Sequence, residues 1–189
     1  KLDGVFISHA HEDHFGDLDR ISDTIKVKTI LFGSGSYDQV NFKRMLAYNN
    51  LKKSKKQTVN YQNEWQKNGL LLDCLYPLNK GDGQNNDSLV LKLKLKNQSI
   101  LLMGDLETEG ENELMSENPE SLSATILKAG HHGSKTSSQP QFLDLVSPEV
   151  SIISCGVNNR YQHPSKETLV HLEERGITSY RTDQNGMIY

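Results

Sequence analysis

Between positions 9 and 14 the chain carries His9, His11, Asp13 and His14, directly after a short apolar run, GVFI at residues 4–7. No other feature constrains the fold as tightly. Imidazole and carboxylate are the ligands that borderline divalent metals such as Zn²⁺, Mn²⁺ or Fe²⁺ accept, and they serve only where a rigid frame presents them together. Alternation along extended chain sends His9 and His11 the same way, while the adjacent pair Asp13–His14 turns toward a second ion. Two ions about 3.5–4 Å apart activate water and polarise a phosphoryl or carbonyl oxygen. A polar turn with surface histidines is the plain alternative. The density of the cluster and its place after a strand weigh against it.

The frame itself is legible as alternating strands and helices. Strands are expected at residues 4–7, 28–32, 57–61, 70–76, 88–95, 100–103, 124–129 and 150–154. Helices fall after the first cluster to about residue 25, then at 37–48, 107–117, 140–146 and 165–175, the last stopped by Gly176. In residues 88–95, Leu89, Leu91, Leu93 and Leu95 alternate with Ser88, Lys92 and Lys94, the pattern of a strand with one buried face. LKKSKK reads as a solvated turn, and ITSYRTD-QNG-MIY as a terminal hairpin. The order fits an α/β fold, two layers of sheet with helices outside, in a single domain over residues 1–189.

Three further polar clusters fall just after strands, where open α/β layers bind ligands. Asp105 follows ILLMG, where burial demands that something compensate its charge. A carboxylate bridging two cations meets that demand, and a helix N-cap is compatible with it. In GHHGS one histidine is read as a ligand, with His131 favoured because it lies nearest the strand end. His132 orients the turn or touches substrate. Ser134, Lys135, Ser137 and Ser138 suit a phosphate at the next helix N-terminus, with plain N-capping as the alternative. In NNRYQHP, His163 faces the cleft as a substrate or acid residue, or else sits on its rim, with Asn158, Arg160 and Tyr161 as substrate contacts. Asp13, His132 and His163 form the catalytic set. His171, inside an amphipathic helix, is structural, and Lys52, Lys53, Lys55 and Lys56 read as a solvated face rather than a nucleic-acid contact. Cys74 and Cys155 lie in apolar runs and read as core thiols rather than a disulfide.

A formal net charge of −3 argues against a broad basic face for nucleic acid. Two divalent cations would bring the sum to about +1 and concentrate the positive charge in the cleft. No window approaches the roughly 18 consecutive apolar residues of a membrane span, and no signal peptide is visible. The chain opens at Lys1, almost on a strand, and carries no initiator Met. It reads as an N-terminally incomplete piece of a longer protein.

H-x-H-x-D-H after a strand resembles the signature of the metallo-β-lactamase superfamily. With SHAHEDHFGD, NNDSLVLKL, ILLMGDLETEGE, LKAGHHGSKTSS, NRYQHPS and RTDQNG in order, the chain is similar to the C-terminal domain of the ComEC/Rec2 competence proteins. That resemblance implies an αββα sandwich lacking its first strands, since nothing here matches the G-Q-G-D segment with which the family opens. It implies two divalent metal ions, Zn or Mn, held by His9, His11, Asp13, His14, Asp105 and His131. It also implies a nuclease that degrades the non-imported DNA strand. Such a domain would stand outside the bilayer on the outer face of the cell membrane, partnered by the rest of its own membrane channel and the DNA-uptake machinery. Where many superfamily members have a further histidine, this sequence has NNDS, with Asn86 or Asp87 near its place. Many close relatives have Asp where His11 stands. A hydrolase of a small phosphoester, lactone or thioester is the first alternative. A non-catalytic DNA-binding or scaffolding domain is the second.

Overall fold

The computed structural model describes residues 1–188, and among them three short strands pair in parallel. β1 (Val5–Ile7), β2 (Thr29–Gly33) and β3 (Lys55–Val59) lie in that order, with Val5 beside Ile30 and Phe32 beside Thr58. The second sheet has seven strands: β4 (Glu64–Lys67), β5 (Leu70–Tyr76), β6 (Val90–Leu95), β7 (Gln98–Leu102), β8 (Ile126–Lys128), β9 (Val150–Ile153) and β10 (Thr178–Arg181). β4 to β7 run antiparallel to their neighbours, and β7 to β10 run parallel.

Two-sided apolar patterning stacks these sheets. Leu31 and Val59 of the first meet Cys74, Leu89 and Leu91 of the second strand layer and its approach. Phe6 meets Trp65 edge to face across the gap, with centroids 5.1 Å apart. α1 (Glu12–Phe15), α2 (Leu18–Thr24) and α3 (Val40–Leu46) cover the outer face of the small sheet through Phe15, Leu18, Phe42 and Met45. α4 (Thr108–Glu117), α5 (Pro140–Val146) and α6 (Lys166–Glu174) cover the large sheet through Leu114, Phe142, Val146 and Leu172. The result is helix, sheet, sheet, helix, as expected. α7 (Thr182–Asn185) is a single turn after β10.

Several expectations about elements are corrected. The helix after the first cluster breaks at Gly16–Asp17 into α1 and α2. The helix expected over residues 37–48 is a 3-10 turn, Ser34–Asp38, followed by α3. β4 has no apolar alternation to announce it, and its side chains lie mostly in solvent. The supposed turn LKKSKK runs into β3, and the Lys56 ammonium donates to the carbonyls of Leu51 and Lys52, 2.7 and 2.8 Å away. The leucine alternation of β6 holds only in part. Lys92 is buried, donating to the Ser121 carbonyl at 2.7 Å, while Leu95 is 48% exposed. Both faces of this central strand are covered at its start, so burial there follows position rather than polarity. β10 makes no terminal hairpin among the described residues. It pairs in parallel with β9 after the α6 crossover, and Tyr189 lies outside the described residues. Cys74 is a buried free thiol, but Cys155 is a half-buried one, its Sγ 3.2 Å from Asp183 Oδ1. No helix among the described residues is long and apolar enough to cross a membrane.

Candidate metal centre

The C-terminal ends of β1, β7, β8 and β9 open on one cavity of about 450 Å³. Its walls include His11, Asp13, Asp105, His131, His132 and His163. The closest grouping is tighter still: ligand atoms of Asp13, His14, Asp105 and His132 all lie within 4.8 Å of one another. Asp105 Oδ2 stands 3.2 Å from His14 Nε2 and 3.3 Å from His132 Nε2. Asp13 Oδ2 stands 3.6 and 3.4 Å from the same two nitrogens. The His9 ring lies 4.5 Å from that of His11 and 4.2 Å from that of His14.

Local backbone explains how side chains so close in sequence converge. Extended chain ends at Ile7, and the one-turn helix α1 then swings Asp13 and His14 back over the strand end. His131 and His132 adopt left-handed backbone, φ 45° and 55°, which turns both rings off the end of β8. Two such non-glycine residues in succession are rare outside functional sites. Gly104 has φ +56°, and a Cβ there would stand 2.8 Å from Ser88 Cβ and 2.9 Å from Ser8 Cβ.

Those two serines tie down the inner nitrogens. Ser8 Oγ lies 3.2 Å from His9 Nδ1 and 3.0 Å from His14 Nδ1. Ser88 Oγ lies 3.3 Å from His9 Nδ1 and accepts the Asp105 amide at 3.0 Å. His132 Nδ1 meets the Ser154 carbonyl at 2.7 Å. Each of these three rings therefore has Nδ1 engaged, while Nε2 of His9, His14 and His132 is buried without an aligned hydrogen bond, as is Asp105 Oδ1. One ring nitrogen oriented by protein oxygen and the other left for a cation is the usual arrangement of metal-binding histidine. The residues present fit a divalent metal on that ground.

Electrostatics agree. Burial, reinforced by His14, pushes His9 down to about 3, so its imidazole is neutral. Burial works to raise the Asp105 carboxyl, but His132 and His14 outweigh it and hold the group far below the ordinary carboxylate range. Asp105 in turn raises His132. Burial lowers the Lys128 ammonium, which donates to the Gly104 carbonyl at 3.0 Å beneath the cluster.

The other residues singled out in the sequence divide. His163 and Tyr161 line the cavity with rings stacked 5.8 Å apart, and burial lowers His163. His131 sits less centrally: its Nδ1 meets Glu107 Oε1 at 3.1 Å, and its Nε2 is 4.0 Å from Asp105 Oδ2. Arg160 stacks over Tyr161 and bonds its hydroxyl, outside the cavity wall, and Asn158 is exposed beside it. Ser134, Ser137 and Ser138 are buried within their own turn and Lys135 is exposed; none of the four lines the cavity. The amides that open α5, Ser138 N and Gln139 N, are already occupied by the Glu111 carboxylate at 2.6 and 3.1 Å. An acidic group does sit at that helix N-terminus, and it is the chain's own. Asn86 Oδ1 accepts the Glu107 amide at 2.9 Å, and Asp87 is buried against Gly83 N, so it is Asn85 that reaches the cavity. Sequence reasoning missed Ser8, Ser88, Asn85, Lys128 and Asn159. Ser8 and Ser88 lay in stretches already noted, and nothing but the fold marks them as supports.

Residues 1–157 match the family model of the metallo-beta-lactamase superfamily. ComE operon protein 3 of Bacillus subtilis (strain 168) is 35% identical over 193 residues, covering all of this chain and 24% of that protein. Competence protein ComA of Neisseria gonorrhoeae is 31% identical over 189 residues, covering all of this chain and 25% of that protein. The chain thus spans about a quarter of the length of these relatives. Among solved structures, Zn²⁺-bound PqqB from Methylobacterium extorquens shares the fold, with a TM-score of 0.57 at 12% identity over 95% of this chain and 71% of that one. These matches bear out the resemblance to the ComEC/Rec2 competence proteins. With histidines and aspartates from the ends of two facing sheets meeting at one point, and a family model over most of its length, the chain belongs to the metallo-beta-lactamase superfamily.

Proposed function

We propose that the chain is a metal-dependent phosphodiesterase that cleaves DNA, working as one domain of a larger membrane protein of DNA uptake. The observation that carries this reading is the convergence of His14 Nε2 and His132 Nε2 on the buried Asp105 carboxylate, at 3.2 and 3.3 Å, with Asp13 beside them. His9, His11, Asp13, His14 and Asp105 would hold two ions, with His131 or His132 completing the set. When bound, such ions supply positive charge against a phosphoryl oxygen and an activated water. The chain's own residues do the rest. Ser8 and Ser88 keep the imidazoles of His9 and His14 in one orientation. His163 lines the cavity outside that ligand set and is placed to pass a proton to the diester oxygen that leaves. His163 and Tyr161 form one wall, held by Asn159, whose Nδ2 donates to the Gly156 and His163 carbonyls, and the Asn85 amide can donate to a non-bridging oxygen. A relative named as a competence protein supports DNA as the substrate, and the outer face of the cell membrane is the placement that reading requires.

The test is cleavage of labelled single- and double-stranded DNA with Mn²⁺, Zn²⁺, Mg²⁺ or chelator, beside lactone and thioester substrates. Metal-dependent DNA cleavage that disappears in Asp13→Ala and His9→Ala is expected. Brisk lactone or thioester hydrolysis with no DNA cleavage under any metal would overturn the nuclease reading.

A further inference from the structure

Charge is segregated along this chain in a way its net value hides. Six of the 21 Lys and Arg residues lie between positions 39 and 63, where there is no Asp or Glu at all. The other 15 share the remaining sequence with all 24 acidic residues. In the fold these six, Lys43, Arg44, Lys52, Lys53, Lys55 and Lys56, fall on α3, the start of β3 and the turn between them. Every Lys or Arg ion pair among the described residues lies elsewhere. Lys56 is committed to two backbone carbonyls, and Lys52 has only the Asn49 side chain at 3.2 Å.

Part of this charge lines a cleft. Lys43, Lys52 and Lys56 surround a cavity of about 410 Å³ with the ring of Tyr37 at its side. That ring is 51% exposed and parallel to buried Phe32 at 6.1 Å, and Lys43 Nζ stands over it, 5.5 Å from its centroid. An exposed aromatic beside unpaired ammonium groups is the pairing that binds single-stranded nucleic acid, a base stacking on the ring as the Lys43 ammonium moves off it to a phosphate. Residues of α3 reach both this cleft and a hollow beside the candidate metal centre. A shallower hollow lined by Gln39, Val40, Asn41 and Gln84 shares His11, Asp13 and Tyr161 with the metal cavity. From there α3, about 10 Å long, leads toward the lysine cleft. The acidic groups along the way are engaged: Glu12 accepts from Asn41 Nδ2 at 2.8 Å, and Asp38 pairs with Lys80 at 2.7 Å.

We infer that α3 and the start of β3 form a binding track for a nucleic-acid strand, with Lys43, Lys52 and Tyr37 gripping it beyond the hollow that adjoins the metal centre. This rests on the phosphodiesterase reading for what happens at the far end of the track, but binding can be measured without cleavage. Anionic lipid is the other polyanion that cations attract. Here the cations line a cleft beside an aromatic face rather than a flat apolar surface, which favours the nucleic acid.

The measurement is fluorescence anisotropy of a labelled 20-nucleotide oligo-dT with the chain in EDTA, across a sodium chloride series. Wild type is compared with Lys43→Gln/Lys52→Gln and with Lys26→Gln/Lys96→Gln, which removes the same charge from exposed residues off the track. Losing two phosphate contacts should lower the log–log salt slope by about 1.4 and weaken binding about 25-fold near 0.1 M salt. Tyr37→Ala should weaken binding without changing the slope. The Lys26/Lys96 pair should leave both unchanged. Equal losses in the two lysine pairs, no oligonucleotide binding, or Lys43/Lys52-dependent binding only to phosphatidylglycerol vesicles would each overturn the track. Hydrolysis of bis(p-nitrophenyl) phosphate by the wild type with Mn²⁺ separates the two readings. If the diester is cleaved while the slopes stay equal, the track fails and the phosphodiesterase stands. If the slopes differ and no diester is cleaved, the track stands and the phosphodiesterase fails.

Discussion

Gly104 shows how much of the candidate centre depends on an atom that is missing. Its positive φ and its contacts with Ser8 and Ser88 leave no room for a Cβ, and both serines hold His9. Gly104→Ala should therefore push the serines apart and release the imidazole, although no ligand is touched. Loss of an outer partner of this kind costs about 10–100-fold in metal affinity. Isothermal titration with Zn²⁺ should show that weakening in Gly104→Ala, while Gly69→Ala, whose site is open, should titrate like wild type. Equal affinities would mean that the serines do not position the ring. Legibility at this scale follows chemistry. His9, His11, Asp13, His14 and Asp105 could be read because few other roles explain such residues at strand ends. The choice between His131 and His132 could not be read, because it turns on two left-handed residues whose consequence for ring direction is not local. Ser8 and Ser88 were hidden for a related reason, since hydroxyls have too many ordinary uses to stand out.

At the scale of elements, the α4–α5 junction carries a buried acid whose titration can be followed. Glu111 on α4 is fully buried and accepts the two amides that open α5. Burial pushes its carboxyl up to about 7 from an ordinary 4.5, against the pull of those amides. The folded state thus keeps a proton that the unfolded chain has released. Stability from this group is fullest below pH 4.5 and is lost as pH rises through 7, by on the order of 3 kcal/mol. Glu111→Gln keeps an acceptor for one amide and cannot ionise. Urea denaturation of both proteins from pH 4.5 to 8 should show the variant gaining on wild type as pH rises. A pH-independent difference would show that Glu111 is ionised throughout. This junction is also where the sequence misleads about elements. The serines of SKTSS look like a phosphate cradle, and only the tertiary position of Glu111, 27 residues before Ser138, shows the helix start to be already filled. Strands with apolar runs, such as β2 and β5, are legible from burial alone. β4 and β10 are not, because edge strands need little apolar patterning and are set by the neighbours they pair with.

Across the whole molecule, the candidate ligands come from both sheets. His9, His11, Asp13 and His14 follow β1 of the small sheet, whereas Asp105 and the GHHGS histidines follow β7 and β8 of the large one. Between the sheets lie an apolar layer and a few backbone bonds, among them Leu89 N to Ser8 O at 2.8 Å and Ala10 N to Gly83 O at 3.0 Å. Metal held by this set would join the two halves of the sandwich, so its binding energy would appear as resistance to unfolding. With free metal at about 100 times Kd, the gain is about 2.7 kcal/mol. For a domain of this size, that is a rise of about 5–10 °C in melting temperature. Because the ligands act as one unit, Asp13→Asn on one sheet and Asp105→Asn on the other should each remove most of the rise. The double variant should then lose little more than either single one. Thermal melts of the four proteins with Zn²⁺, Mn²⁺ or EDTA measure this directly. A full rise surviving in Asp105→Asn would show that the metal is held by the small-sheet cluster alone, and the joining of the sheets through the site would have to be given up.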